Sequence, residues 1–217
     1  KGGNAIDAAI ATAACLTVTE PTSNGIGSDC FAIVYFNEKL YGLNSSGYSS
    51  RNHSIDEMNK RGYSEMPSNK IESITVPGTP KGWAELNKRF GNLSLLECLQ
   101  PAINLARNGF VIGETVGYYF ERAINVYKKN NEGPVYDQFF SVFSKDKEPY
   151  CAGDFFQSEE LAYTLEEIGK TNSDSFYTGE LSTKIVSFMQ KHNGLIDQAD
   201  LEEYQVDWVE PISVEYK

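Results

Sequence analysis

Residues 5–18 read Ala-Ile-Asp-Ala-Ala-Ile-Ala-Thr-Ala-Ala-Cys-Leu-Thr-Val, and this run constrains the fold more than any other part of the chain. Alanine and leucine favour the helix, Asn4 is a good N-cap, and Asp7 falls in the first turn, where the helix dipole favours a carboxylate. Pro21 ends the helix. A helix that is apolar nearly all round has no face to give to water, so the run predicts burial on more than one side and a layered domain around it. Asp7 within such a surface must be paired or capped, and stabilisation of the helix start is the favoured role. The run carries a charge and is shorter than the ~18 apolar residues of a membrane span, and no other stretch comes nearer.

Residues 22–29 are a polar, glycine-containing loop. Residues 31–36 read as a buried strand and 39–43 as its partner, with Asn37-Glu38 as a two-residue hairpin loop. Residues 45–54 form a serine-rich loop, 55–61 a short helix, and 73–76 a short strand before Pro77-Gly78. Helices are predicted over 83–90, 95–108, 115–129, 158–170, 180–192 and 197–204. The second of these opens with a Ser94-Leu-Leu-Glu97 capping box, carries Pro101 inside and closes at Gly109. Residues 209–217 read as a strand entering a sheet. The order predicts an α/β (α+β) chain: a sheet-containing part over 1–79, a mainly helical lobe over 80–207 and a strand over 208–217. Both ends read as cut, so 1–217 is expected to be one region truncated at both ends.

Charge and composition exclude several function classes. With 19 basic against 30 acidic residues the net charge is −11, which leaves no broad phosphate-binding face and predicts no nucleic-acid partner. Four dispersed cysteines form no C-x-x-C, and two histidines are scant material for a metal site, so neither metal nor cofactor is expected. Gly25-Ile26-Gly27 follows a helix and has Cys30 where a dinucleotide fingerprint needs glycine. Its glycines serve tight turns, or its amides line a substrate cavity. Ser45, Ser46, Ser49 and Ser50 near His53 read as a serine-rich turn rather than a Ser/His pair, because no orienting aspartate is evident. His192 caps a helix end; Glu159-Glu160, Glu166-Glu167 and Glu202-Glu203 are solvated faces. Tyr118, Tyr119 and Phe120 read as core, and Cys30 as an inert thiol beside a strand. These residues alone describe an α/β domain without a self-contained active site: a scaffold, or part of an enzyme whose reactive group lies elsewhere.

Six segments, in order, resemble the γ-glutamyltranspeptidase family. They are Lys1-Gly-Gly-Asn-Ala-Ile-Asp-Ala-Ala-Ile10; Glu20-Pro-Thr-Ser-Asn-Gly-Ile-Gly27 with Phe31-Ala-Ile-Val-Tyr35; Ser73-Ile-Thr-Val-Pro-Gly-Thr79 with Gly82 and Arg89-Phe-Gly91; Pro101-Ala-Ile-x-Leu-Ala-Arg-x-Gly-Phe110; Phe176-Tyr177-x-Gly179; and Gly194-Leu-Ile-x-x-x-Asp200-Leu-x-x-Tyr204. The resemblance implies a four-layer αββα sandwich of the N-terminal-nucleophile hydrolases, of which this chain is a part. It implies a precursor that cleaves itself, and a threonine at the small subunit's new N-terminus that attacks an amide with its own α-amine as base. No catalytic residue then lies in this chain, which by itself is expected to be inactive. The implied partners are a small-subunit segment carrying the catalytic threonine and a small amide or γ-glutamyl substrate, with no cofactor, nucleic acid or membrane.

The family's γ-glutamyl-specific members carry Asp-x-Arg-Glu-x-Ala-Pro after the second strand, and that arginine pairs with the substrate α-carboxylate. Here the run is Asn44-Ser-Ser46-Gly47-Tyr48-Ser49-Ser50, with Ser46 at the arginine position. A divergent amidohydrolase-like branch has its arginine two places later, where this chain has Tyr48, and Arg51 is out of register. The resemblance is closest to that branch. Ser46 and Tyr48 are therefore the expected substrate-binding residues, set against an exposed serine turn with no ligand role. The implied activity is cleavage or transfer of an acyl group from a small amide, glutathione-like compounds being the default. The alternatives are an amidohydrolase or acylase with another acyl group, or a non-catalytic truncated homologue. Four cysteines without evident pairing fit a cytoplasmic location.

Overall fold

Asn4 caps the first helix, α1 (Ala5–Thr19), through a reciprocal box: its side chain accepts from the Ile6 and Asp7 N–H groups, and Asp7 accepts from the Asn4 N–H. In this computed structural model, which describes residues 2–130 and 133–217, Lys1 of the opening motif lies outside the described residues. α1 buries Asp7, Ile10, Ala14, Thr17 and Val18. The opposite stripe, Ala5, Ala8, Ala9, Thr12 and Leu16, is exposed, so the expected burial on more than one side is met on one side only among the described residues. Alanine side chains offer so little area that leaving the stripe in water costs little.

β1 (Cys30–Phe36) and β2 (Lys39–Ser45) form the expected hairpin. Asn37 and Glu38 have φ of 48° and 61°, the positive pair that matches a two-residue turn to strand twist. The next elements are α2 (Ile55–Lys60), a 3-10 turn at Ile71–Ser73, α3 (Thr79–Phe90), α4 (Leu95–Asn108), β3 (Phe110–Val111), α5 (Glu114–Asn130) and α6 (Asp137–Phe143). After them come β4 (Phe155–Phe156), α7 (Glu159–Lys170), α8 (Asp174–Thr178), α9 (Glu180–Lys191), α10 (Gln198–Glu202) and β5 (Asp207–Val209). The main sheet runs β1-β2-β5, antiparallel throughout, and β3 pairs with β4 in a small second sheet.

Strand alternation gives the main sheet two unlike faces. Register pairs Phe31 with Asn44, Ile33 with Gly42 and Tyr35 with Leu40, and Val209 lies opposite Gly42, so these residues share one face. That face is open: Phe31, Ile33 and Tyr35 are 65%, 72% and 70% exposed. Val34, Leu43 and Trp208 lie on the other face, against α3. There Phe90 packs its ring 5.4 Å from Phe36, 5.2 Å from Tyr41 and 5.7 Å from Trp208. α4 packs against α1 and α7 against α4, and one core joins Ile10 on α1 to Leu201 and Tyr204 around α10. A smaller cluster of Ile112, Phe120 and Phe156 sits beside β3 and β4.

Four expectations are corrected. The strand expected to be buried at residues 31–36 buries only Val34, because one face of the sheet has no layer packed on it among the described residues. Residues 73–76 are no strand: Ile71–Ser73 turns as a 3-10 helix, and Val76 instead gives its N–H to the Tyr48 carbonyl at 3.0 Å. The last strand is Asp207–Val209, and residues 210–217 pair with nothing among the described residues. Tyr118 and Tyr119 are 61% and 43% exposed, because α5 turns only Phe120 of the three inward. The α6 and α8 helices and the β3–β4 pair were not expected; each is short and depends on partners distant in sequence.

Candidate functional site

The segments singled out in the sequence converge at one end of the main sheet. The Gly78 and Thr79 N–H groups donate to the Ser28 carbonyl at 3.1 and 2.9 Å, and Thr79 Oγ1 shares its one proton between the Ser28 and Asp29 carbonyls at 2.8 and 3.0 Å. That pins the glycine loop to the Val76-Pro77-Gly78 block. Ser45, at the end of β2, donates from Oγ to the Gly78 carbonyl at 2.7 Å. A Cβ on Gly47 would overlap the Val76 carbonyl, and one on Gly78 the Ser45 carbonyl, so this crossing requires both glycines. Tyr204, just past α10, reaches under the same point. Its hydroxyl is 3.0 Å from Ser45 Oγ and 3.3 Å from the Ser46 carbonyl.

α10 anchors the rest of the serine-rich loop. Its N-cap Asp197 and Asp200 form a reciprocal capping box. Tyr48 donates its hydroxyl to the Asp200 carbonyl at 2.6 Å, and the Arg51 N–H donates to Asp200 Oδ1 at 3.0 Å. Ser50 Oγ donates to the Leu195 carbonyl at 2.7 Å, and Asn52 Nδ2 to Asp197 Oδ2 at 3.0 Å. The Arg51 guanidinium forms a two-pronged ion pair with Glu203. The loop is a latched structure rather than a free serine turn.

Ser46 and Tyr48 are both here, and both are already engaged. The Asn44 Oδ1 atom accepts from the Ser46 N–H at 3.0 Å and from Ser46 Oγ at 2.8 Å, an Asx turn that holds the serine beside Asn44. Asn44 belongs to the open face of the sheet, with Phe31 opposite it. Tyr48 is 38% exposed with its ring 5.8 Å from that of Tyr204. Burial raises the Tyr48 phenol above its ordinary pKa; Arg51 opposes that shift, and Asp200 and Glu203 reinforce it. Burial also raises Tyr204, against the hydrogen bond from Ser45. Asp29 stands at the glycine-loop side and accepts the Gly47 N–H at Oδ1, 3.3 Å away. It also lines a cavity of about 240 Å³ bounded by Thr17, Asn24, Thr79, Trp83 and Phe31. Asn44, Asp200 and Tyr204 were missed as site residues. The Asn44-x-Ser46 spacing of an Asx turn and the Asp197-x-x-Asp200 spacing of a capping box were the available signals.

The remaining candidates have structural roles. Asp7 is a buried hub: Oδ2 accepts from the Asn4, Asn92 and Leu93 N–H groups at 2.8, 3.0 and 3.4 Å, and Oδ1 from Asn87 Nδ2 at 3.3 Å. Burial alone would raise its pKa, and these N–H groups bring it below the ordinary value. His192 caps α9 with its ring 4.4 Å from Phe188. His53 lines a separate apolar hollow beside α2. Arg107 bridges Glu159 and Glu166 on the surface. Cys30 is half-buried, and burial raises its thiol pKa. Among the described residues no three His, Cys, Asp or Glu side chains gather as a metal site, and no helix is long and apolar enough to cross a membrane.

The family model for gamma-glutamyltranspeptidase matches residues 1–217. The glutathione hydrolase-like YwrD proenzyme of Bacillus subtilis is 34% identical across the whole chain, which spans 40% of that protein. The glutathione hydrolase proenzyme of Pseudomonas aeruginosa is also 34% identical, and the chain spans 38% of it. Among solved structures, the cephalosporin acylase from Bacillus halodurans superposes with a TM-score of 0.98 at 44% identity, over all of this chain and 40% of that one. The gamma-glutamyltranspeptidase from Pseudomonas nitroreducens complexed with L-DON superposes with a TM-score of 0.85 at 32% identity, over all of this chain and 62% of that one. The motif blocks that meet at the end of the β1–β2 hairpin are thus embedded in a match that runs the full length of the sequence, and the chain belongs to the gamma-glutamyltranspeptidase family.

Proposed function

We propose that this chain is the large-subunit portion of a self-processing enzyme that removes or transfers the acyl group of a small amide, with a threonine nucleophile outside these residues. The observation that carries this reading is the placement of Asn44 and Ser46. Asn44 belongs to the sheet face that also presents Phe31, Ile33 and Tyr35 to solvent, and it holds Ser46, just past the end of β2, beside it. A second β layer from a small-subunit segment would cover those side chains and complete the αββα sandwich, with its nucleophile facing the Ser46 loop. Ser46 and Tyr48 then help to select the acyl group, and the chain alone is inactive.

Glutathione-like γ-glutamyl amides are the default substrates, as the names of the curated relatives suggest. A non-γ-glutamyl amidohydrolase is the second reading. It is favoured by the capture of Arg51 by Glu203, which leaves the loop without a free guanidinium, and by the similarity to a cephalosporin acylase. Expression of the full-length protein tests the shared claim: it should yield two subunits and release a chromogenic amine from an acyl anilide. One unprocessed band with no release would establish the non-catalytic homologue instead. Release from an uncharged acyl anilide but not from the γ-glutamyl one would select the second reading. The location proposed is the cytoplasm, in keeping with Cys15, Cys30, Cys98 and Cys151 all being unbridged. Protein unfolded without reductant should titrate all four as thiols, and a deficit of two would refute it.

A further inference from the structure

The groups around the Ser46 loop share an electrostatic bias. Among the described residues, the only charged side chain lining the cavity of about 240 Å³ is Asp29. Asp29 accepts one backbone N–H, from Gly47, and no cation pairs with it among the described residues. The hydroxyl protons nearby are committed to acceptors: Thr17 to the Ala14 carbonyl at 2.7 Å, Thr79 to the Ser28 carbonyl at 2.8 Å, Ser46 to Asn44 Oδ1 at 2.8 Å and Tyr48 to the Asp200 carbonyl at 2.6 Å. A hydroxyl whose single proton is spent offers an incoming group only lone pairs. Asn24 turns its amide N–H toward Glu20. Arg51, the nearest guanidinium in sequence, is held by both Glu203 oxygens. The donors left over, such as the Ser23 and Ser28 hydroxyls lining the cavity and the Asn44 amide, are neutral.

We infer that the acyl head recognised here is a hydrogen-bond donor, neutral or cationic, such as a primary ammonium or an amide, and that Asp29 is the specificity-determining acceptor for it. A carboxylate head would approach a second carboxylate with only neutral donors to offset the repulsion, so the site selects against it. This inference rests on the acyl-transfer reading above and narrows its substrate class.

The test uses processed full-length protein and two anilides with the same three-methylene acyl chain, γ-aminobutyryl ending in an ammonium and glutaryl ending in a carboxylate. Wild-type kcat/KM should favour γ-aminobutyryl by about tenfold or more, and Asp29→Asn, which keeps an acceptor for the Gly47 N–H, should shrink that ratio about fivefold. Subunit formation reports that the variant folds. Should Asp29→Asn fail to process, competitive inhibition of the wild type by γ-aminobutyramide against glutaramate reads the same preference without a variant. Equal or better turnover of the glutaryl anilide overturns the inference, as does an unchanged ratio in processed Asp29→Asn or tighter inhibition by glutaramate. Failure of the wild type to process, or to cleave any anilide, refutes the proposed function and takes this inference with it.

Discussion

Replacing Asp7 should be among the most damaging single changes in the chain, although the residue touches no proposed substrate. Its carboxylate ties the start of α1 to the turn between α3 and α4. Three backbone N–H groups and the Asn87 amide end on it, and Cys98 Sγ lies 3.5 Å from Oδ1. In Asp7→Asn one oxygen becomes an NH₂ group, most simply at Oδ1, where it faces the Asn87 amide donor. The Asn87 bond and the weaker Cys98 thiol bond are lost, and three more change from charge-assisted to neutral at about 1 kcal/mol each, partly offset because no charge is then buried; the net loss is about 2–3 kcal/mol. Asp7→Ala strips the acceptor from every donor. With about two of them shielded from water at about 1–3 kcal/mol each, the cost is about 4 kcal/mol. Urea denaturation of the full-length protein and both variants measures this directly. The lowered folded-state pKa fixes the pH dependence: the stabilisation is present above the unfolded value, near pH 4, and is lost as pH falls through the folded value. The wild type should therefore lose its advantage over Asp7→Asn on acidification. An Asp7→Asn cost below about 0.5 kcal/mol, or a wild-type advantage that grows on acidification, would refute the hub argument.

Ser173→Gly should stabilise. Ser173 is fully buried at φ 71°, and its hydroxyl has no hydrogen-bond partner among the described residues, so relief of strain and of the orphaned group outweighs the added flexibility by about 1 kcal/mol. A rise in urea midpoint at constant slope checks it. Tyr204→Phe should cost about 1–2 kcal/mol and speed amide exchange in residues 45–52, because only the hydroxyl between Ser45 and Ser46 is removed; unchanged exchange would mean α10 alone holds the loop. Ser46→Arg in processed full-length protein should raise turnover of γ-glutamyl anilides relative to uncharged acyl anilides. A tenfold change in that ratio requires about 1.4 kcal/mol of differential transition-state binding.

Local chemistry was legible wherever a few adjacent residues decide it. The Asn4 and Ser94 caps, the Asn37-Glu38 turn and the helix stops follow from short-range hydrogen bonding and backbone preference. Asp7 was placed at a helix start, but its partners Asn87, Asn92 and Leu93 lie some eighty residues away, beyond any local pattern. Residues 73–76 carry β-branched side chains suited to a strand, yet the Pro77-Gly78 block uses them to clasp the Ser45–Tyr48 loop. Motif resemblance brought Ser46 and Tyr48 forward. It did not show that their hydroxyl protons were spent, because Asn44 and Asp200 act through an Asx turn and a backbone carbonyl rather than through a recognisable catalytic spacing.

The open face of the β1–β2 hairpin also bears on how the chain survives its own synthesis. Phe31-Ala-Ile-Val-Tyr-Phe36 is uncharged and free of proline and glycine, the composition that stacks into cross-β aggregates, and β1 is an edge strand. β5, which closes the other side of β2, begins at Asp207, roughly 160 residues after Ser45; at about 5–20 residues per second the ribosome takes about 8–32 s to deliver it. Even then, β5 pairs the far edge of β2 and leaves the aromatic face of β1 bare. The hairpin is thus the segment a holdase chaperone should grip first, and the yield of soluble protein should depend more on how long that face waits for a cover than on the stability of the finished fold.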